Sequence, residues 1–232
     1  MPLLDHFRPP VDEQVSWSSF HANWATRLAD QITERLPVGF TVEELSHPSG
    51  GVEIDVATYQ DDGTEDPLRS DWQPPPADQT ADVVFPEQHE VKVYRTTGGR
   101  TLVAAVELVS PGNKDRATER RAFAAKCAGY LYAGVGLIVV DVVTERTANL
   151  HNEIVRVMDG GPGLLLPEPG GLYAVAYRPV VRDGGSTVDQ WVRPLAVGGP
   201  LPELPLRLAG DYFVPVDFEA AYQEACRRRR IA

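Results

Sequence analysis

Apolar positions recur along the chain at helical and strand spacings, and each run predicts an element. Phe20, Trp24, Leu28, Ile32 and Leu36 recur every fourth residue, the one-sided stripe of an amphipathic helix over 17–36. A serine at 16, 18 or 19 can cap its start, and Pro37 with Gly39 closes it. Phe40–Ser46 and Val52–Tyr59 read as two strands around the breakers His47-Pro48-Ser49-Gly50-Gly51, hence a hairpin. In the second strand Val52, Ile54 and Val56 share one face, and Glu53, Asp55 and Ala57 the other. Residues 60–82 are polar and Pro-rich, a long surface loop with Trp72 as an anchor, and 81–85 reads as a short strand.

Glu90–Thr96 alternates, turns at Thr97-Gly98-Gly99-Arg100 and leads into 101–110, so these two strands are expected to pair antiparallel. Val103 to Val109 is apolar on both faces except at Glu107, as in a strand covered on both sides. Ser110-Pro111-Gly112 breaks the run. A helix follows over 115–133, with Asp115 as cap and Phe123, Cys127, Tyr130 and Leu131 as its stripe. Leu137–Val143 is then a buried strand, which makes a βαβ unit and a parallel pair. Asp141 near its end reads as a capping or turn residue. Beyond come a short helix at 150–158, a hairpin of 172–181 with 187–197, an extended segment at 201–208 and a helix over 217–230.

The expected fold is α/β: a central mixed sheet flanked by helices, with a C-terminal β-hairpin and helix. Three segments are expected: an arm at 1–16, a core at 17–145, and a C-terminal extension at 146–232 packed on the same domain.

Glu107 is the first residue whose chemistry needs explaining. An ionised carboxylate inside an apolar strand costs several kcal/mol unless a cation, a metal or hydrogen-bond donors meet it. It could equally be a structural ion pair or a strand-end group facing water. Asp55 sits mid-strand, against propensity, although Glu53 and Asp55 also fit the wet face of an edge hairpin. Asp82, opening the 81–85 run, is the rival second acid.

Charge limits the partners. The chain carries a net −11 with a sequence pI of 4.9, which does not support a protein that coats nucleic acid through a basic surface. The segment 107–130 holds five basic and three acidic residues, a small excess that a solvated helix face also produces. Arg227–Arg230 suits the C-terminal end of a helix. No apolar run reaches the length of a membrane helix, so no membrane partner is expected, and no secretory signal is visible. Cys127 and Cys226 are isolated in sequence, as reduced thiols of a cytoplasmic protein would be. The glycine run 159–163 lacks the Lys-Ser/Thr of a phosphate loop. His21, beside the helix stripe, reads as a packed rather than a catalytic histidine.

The stretch V-A-A-V-E-L-V-S-P-G-N-K, a basic helix, and then A-G-V-G-L-I-V-V-D-V-V resembles a bacterial domain-of-unknown-function family. That family reads approximately V-x-x-I-E-x-L-S-P-A-N-K, a helix, then G-V-x-L-V-E-I-D-L-L. The similarity extends to W-S-S-F-H near the start and to the C-terminal hairpin with its L-P-x-L-P-L segment. E-L-V-S-P is also similar to the E-V-L-S-P of a cyanobacteria-rich, endonuclease-like group. Both resemble the PD-(D/E)-x-K restriction-endonuclease-like superfamily.

The resemblance implies a phosphodiester hydrolase in which Asp55 and Glu107 hold Mg²⁺ and a lysine polarises the attacking water, with no organic cofactor. The superfamily lysine stands two residues after the second acid, where this chain has Val109. Lys114 is the preferred replacement and Lys126 the alternative, with Ser110 and Asn113 as supporting polar groups. Two other readings stay open. One is an inactive member of the fold, acting as a binding or regulatory module. The other is a Glu107–Lys114 ion pair that fixes the S-P-G turn. Nucleic acid is the partner implied by the resemblance, and a homodimer is compatible with it.

Overall fold

The computed structural model describes residues 1–43, 56–60, 72–82, 101–182 and 184–231. It is a mixed α/β structure with a sheet between two covering layers.

The chain starts as an arm on the body. Leu3 is buried, its N–H donates to Gly199 O at 2.8 Å, and its carbonyl accepts from Gly198 N at 2.8 Å. A single turn, α1 (Val11–Gln14), precedes α2 (Trp17–Thr33), whose cap is Ser16: Ser19 N donates to Ser16 Oγ at 3.3 Å. The predicted stripe is the buried face, with Phe20, Trp24, Leu28 and Ile32 all at 0% exposure. The regular helix stops at Thr33, short of the expected Leu36. Pro37 disfavours the helical conformation for the residue before it, so the last turn loosens early.

β1 (Phe40–Glu43) runs antiparallel to β2 (Val56–Gln60), as the hairpin pattern predicts. β2 in turn pairs antiparallel with β4 (Thr101–Leu108), with Val56 opposite Val106. Residues 90–96 lie outside the described residues, and the β4 edge that sequence assigns to them is occupied by β2. After β4 come a short helix, α3 (Pro111–Asp115), and the crossover helix α4 (Ala117–Tyr132). Asp115 therefore ends one helix instead of capping the next. Arg116 is extended between the two, and Arg120 Nη1 holds the joint by donating to Lys114 O at 3.3 Å and Asp115 O at 3.2 Å.

β5 (Gly136–Asp141) pairs parallel with β4, which bears out the βαβ unit. After α5 (Leu150–Val157), the hairpin β6 (Leu172–Arg182) and β7 (Gly185–Leu195) continues the same sheet, β6 pairing antiparallel with β5. This hairpin is not an appendage to the sheet. Every residue of β5 is buried, so its second edge needs a partner as much as its first. β3 (Gln79–Asp82) covers the far edge of β7. The strand order is β1-β2-β4-β5-β6-β7-β3. The loop before β3 is anchored as expected: Trp72 packs on the core, and Trp191 Nε1 donates to Pro75 O at 2.9 Å.

A separate hairpin, β8 (Glu203–Ala209) with β9 (Tyr212–Asp217), lies across β4, β5 and β6 on one face. It approaches so closely that a Cβ on Gly136 would sit 2.0 Å from Arg207 O. Outside it pack α2 and α6 (Phe218–Arg229), the latter capped by Asp217, which accepts from Ala220 N at 2.9 Å. Arg227 and Arg228 close on Glu224 at the end of α6, a solvated helix terminus. α4 and α5 cover the opposite face, so two apolar clusters sandwich the sheet. No helix among the described residues is long and apolar enough to cross a membrane.

Candidate functional site

Side-chain alternation along β4 puts Ala105, Glu107 and Val109 on the face that α4 covers. Glu107 is 2% exposed. Its cation comes from α4: Lys126 Nζ donates to Glu107 Oε2 at 2.9 Å, with Lys126 9% exposed and its ammonium 5.2 Å from the centre of the Phe123 ring. Position 126 flanks the buried stripe of Phe123, Ala124, Cys127 and Leu131, so the packing that seats α4 also carries the lysine inward.

Lys114 goes elsewhere. Ser110 caps α3, and Asn113 folds back on it, its Oδ1 accepting from Ser110 N at 2.8 Å and from Ser110 Oγ at 2.9 Å. This lock turns Lys114 towards the end of β5, where its Nζ donates to Asp141 Oδ2 at 2.8 Å and to Val143 O at 3.4 Å. Both side chains are essentially without solvent, at 1% and 0%. Asp141 Oδ1 also accepts from Val143 N at 3.0 Å. Burial pushes the Asp141 carboxyl up to about 6, against the downward pull of the Lys114 charge and hydrogen bond.

The two pairs are neighbours. Glu107 is level with Val139 in the parallel register, and Asp141 stands two residues further along β5 on the same face. Strand spacing and rise put their Cα atoms about 8 Å apart. Two acid–lysine pairs thus lie at the C-terminal ends of adjacent parallel strands, where open α/β sheets place their sites.

The sequence-predicted residues are distributed as follows. Glu107 and Lys126 meet. Lys114 does not reach Glu107 but pairs with Asp141, so the ion pair expected between Glu107 and Lys114 is replaced by two others. Ser110 and Asn113 are spent on each other in the turn. Asp82 closes β3, four strands from β4 and about 19 Å across the sheet, and is not brought to Glu107. Asp55 lies outside the described residues; the residue after it, Val56, is paired with Val106, next to Glu107 in the chain. His21 stacks on Trp17 with ring centroids 5.2 Å apart, a packed histidine as expected.

Sequence reasoning passed over a third buried polar group. Asp141 faces Tyr173 across the β5–β6 pair. The Tyr173 hydroxyl accepts from His151 N at 2.9 Å, and His151 Nδ1 lies 2.6 Å from the Tyr177 hydroxyl. His151 Nε2 lies 2.9 Å from Leu164 O, which can only accept, so Nε2 carries the proton and Nδ1 accepts from Tyr177. Burial lowers the basicity of His151 and raises the phenols of Tyr173 and Tyr177 well above their usual range, which keeps all three neutral. The readable signal was the spacing of Tyr173 and Tyr177, four residues apart and so on one face, in the apolar first half of the strand.

Among the described residues no group of three or more His, Cys, Asp or Glu side chains is arranged to hold a metal ion. Glu107 offers a single carboxylate, and the Lys126 ammonium beside it is no ligand, so an oxygen-ligated cation here needs a further carboxylate. No protein-family model, curated protein or solved structure matches the chain.

Proposed function

We propose that the chain is a nuclease-like phosphodiester hydrolase, with Glu107 as the central acid and Lys126 as the lysine displaced from position 109. The observation that carries this reading is the 2.9 Å contact of Lys126 Nζ with Glu107 Oε2, made from a helix one crossover away from the acid-bearing strand. An ammonium delivered there does what an adjacent strand lysine would do: it offsets negative charge developing on a phosphodiester and orients a water. Asp55 is the second acid of this proposal, and Mg²⁺ bound with Glu107 would lower the pKa of its water and polarise the phosphate. Asp141 with Lys114 belongs to the framework, since both of that carboxylate's oxygens are already hydrogen-bonded.

The experiment is cleavage of DNA and RNA in Mg²⁺ or Mn²⁺ by wild type, Glu107→Gln, Lys126→Met and Asp55→Asn. The proposal expects activity in wild type and its loss in all three variants. Equal activity in wild type and Glu107→Gln sinks it. A second reading is favoured by the burial of the pair, 2% and 9% exposed, which leaves little open surface at Glu107. It is a non-catalytic member of the fold, and its mark is wild type that binds oligonucleotides without cutting them in either metal.

A further inference from the structure

A groove of about 350 Å³ opens at the other end of the sheet from Glu107, beside the start of β5 and the C-terminal end of α4. Its polar wall is made by Arg178 of β6, Arg207 of β8, and Asp211 with Gly210 in the β8–β9 turn; its apolar wall includes Tyr132 and Val181. Val181 is 70% exposed, an apolar side chain left uncovered on this wall.

The two cations are held differently. Arg207 is committed to the backbone: its Nη1 donates to Gly134 O and its Nε to Gly210 O at 3.2 Å. It caps the carbonyl end of α4 and fixes the hairpin turn above the groove. Arg178 is poised over the Phe213 ring, its guanidinium carbon 5.3 Å from the ring centre, with its side chain 19% exposed. Its Nε is buried and has no hydrogen-bond partner. One side of Arg178 faces Asp189 at 3.7 Å, but that carboxylate is already filled by Arg182, through two contacts of 2.6 Å, and by Thr80 at 2.9 Å. The other side is met by Asp211 through Nη2.

Asp211 is the exchangeable member of this arrangement. It is 83% exposed and sits in a two-residue turn, so its carboxylate can swing into water without disturbing a packed element. It marks the place where a carboxylate fits. Burial first, and the nearby Arg178 charge after it, depress the basicity of Arg207 against the opposing pull of Asp211, so two guanidinium groups share this wall with one carboxylate between them. The volume lies in the range of small-molecule sites, and a few convergent polar groups over an apolar wall is their usual composition.

We propose that this groove binds a small organic carboxylate, its carboxylate on Arg178 in the place that Asp211 occupies and its apolar body against Tyr132 and Val181. In the free protein Asp211 acts as a tethered competitor. The site is independent of Glu107 and Lys126 and stands whether or not the hydrolase reading does.

The test is a titration of the ¹⁵N-labelled full chain with phenylacetate, following the Arg178 Nε–Hε resonance, beside titrations with 2-phenylethanol and inorganic phosphate. Asp211→Ala removes the competitor, so phenylacetate is expected to bind that variant about tenfold more tightly than wild type, with a shifted Nε–Hε signal. Arg178→Lys in the Asp211→Ala background keeps the charge but loses the planar fork, and is expected to weaken binding about tenfold. The proposal is overturned if Asp211→Ala binds no tighter than wild type, or if the Nε–Hε signal does not move. It is equally overturned if 2-phenylethanol or phosphate binds as well as phenylacetate. The Nε–Hε readout is made in Asp211→Ala itself, so it does not depend on how well an Arg178 variant folds.

Discussion

Replacing Lys126 by Met leaves the Glu107 carboxylate at 2% exposure without the ammonium that lies 2.9 Å from it. At that separation, and at the effective dielectric of about 20 that suits protein sites, two unit charges attract by on the order of 6 kcal/mol before desolvation is charged against them. Breaking one partner of a buried pair typically costs about 3–5 kcal/mol, because the remaining charge stays buried. Lys126→Met is therefore expected to lose about 4 kcal/mol, a large share of the roughly 5–15 kcal/mol that holds a domain together. Glu107→Gln should cost less, about 2 kcal/mol, because Lys126 is 9% exposed and its long stem lets the ammonium reach water. The double variant removes both charges and keeps the volume, so it should fall within about 2 kcal/mol of wild type, well short of the sum of the singles. Equilibrium urea unfolding at pH 7 reads all four proteins, through a change in midpoint at constant slope. Lys126→Met costing less than about 1 kcal/mol, or a double variant whose loss equals the sum of the two, would refute the buried pair and with it the proposed position of the lysine.

Four further outcomes follow from the same packing. Gly136→Ala places a methyl 2.0 Å from Arg207 O, a backbone atom that cannot rotate away, so the β8–β9 hairpin must lift from β5 at a cost of about 3 kcal/mol, measurable as a lowered urea midpoint. Asp141, raised to about 6 from 3.8, binds a proton more tightly folded than unfolded; its stability contribution is complete below about pH 4 and is lost as pH rises through 6. Asp141→Asn removes that slope, so the stability of wild type relative to the variant should fall by about 3 kcal/mol between pH 4 and pH 7, and parallel pH profiles would contradict it. His6, lowered by burial to about 4, works in the opposite sense, its contribution present above about pH 6.5 and lost as pH falls towards 4, so His6→Gln should flatten the acid limb of the wild-type profile. Asn149→Ala deletes the cap that accepts from Asn152 N at 3.1 Å and should cost about 1 kcal/mol in thermal unfolding.

Much of the architecture was legible because it is local. The Phe20–Ile32 stripe fixed both the existence and the buried face of α2, and the apolar run, break, helix and second apolar run fixed β4, α4 and their parallel partner β5. What the pattern does not carry is which edge meets which. β6 and β7 alternate like any hairpin, and only the burial of all six β5 positions shows that the sheet continues through them. β3 is four residues long and finds its place on β7 by hydrogen bonds from a distant part of the chain. At the site, Glu107 was readable because a charge in an apolar strand is conspicuous. Which lysine answers it was not, because that depends on how α4 lies across the sheet. Nearness in sequence favoured Lys114, yet the Ser110–Asn113 lock turns that residue to Asp141. Asp141 itself looked like an ordinary strand-end residue, and its partner became visible only with the turn in place.

The two acid–lysine pairs also have a bearing on how the chain assembles. Their partners are 19 and 27 residues apart, whereas the ties that close the far edge, Thr80 with Asp189 and Trp191 with Pro75, span 109 and 116. Closing short loops costs less chain entropy, so the segment from Thr101 to Asp141 can form its contacts before the outer strands arrive. Within it, each carboxylate loses its water only as its own lysine comes to rest. An α4 seated one turn out of place would bury Glu107 without Lys126, and an α3 wound differently would do the same to Asp141. The pairs therefore act as a proofreading device for the crossover: hydrophobic burial is indifferent to such slips, and the stranded charge is not.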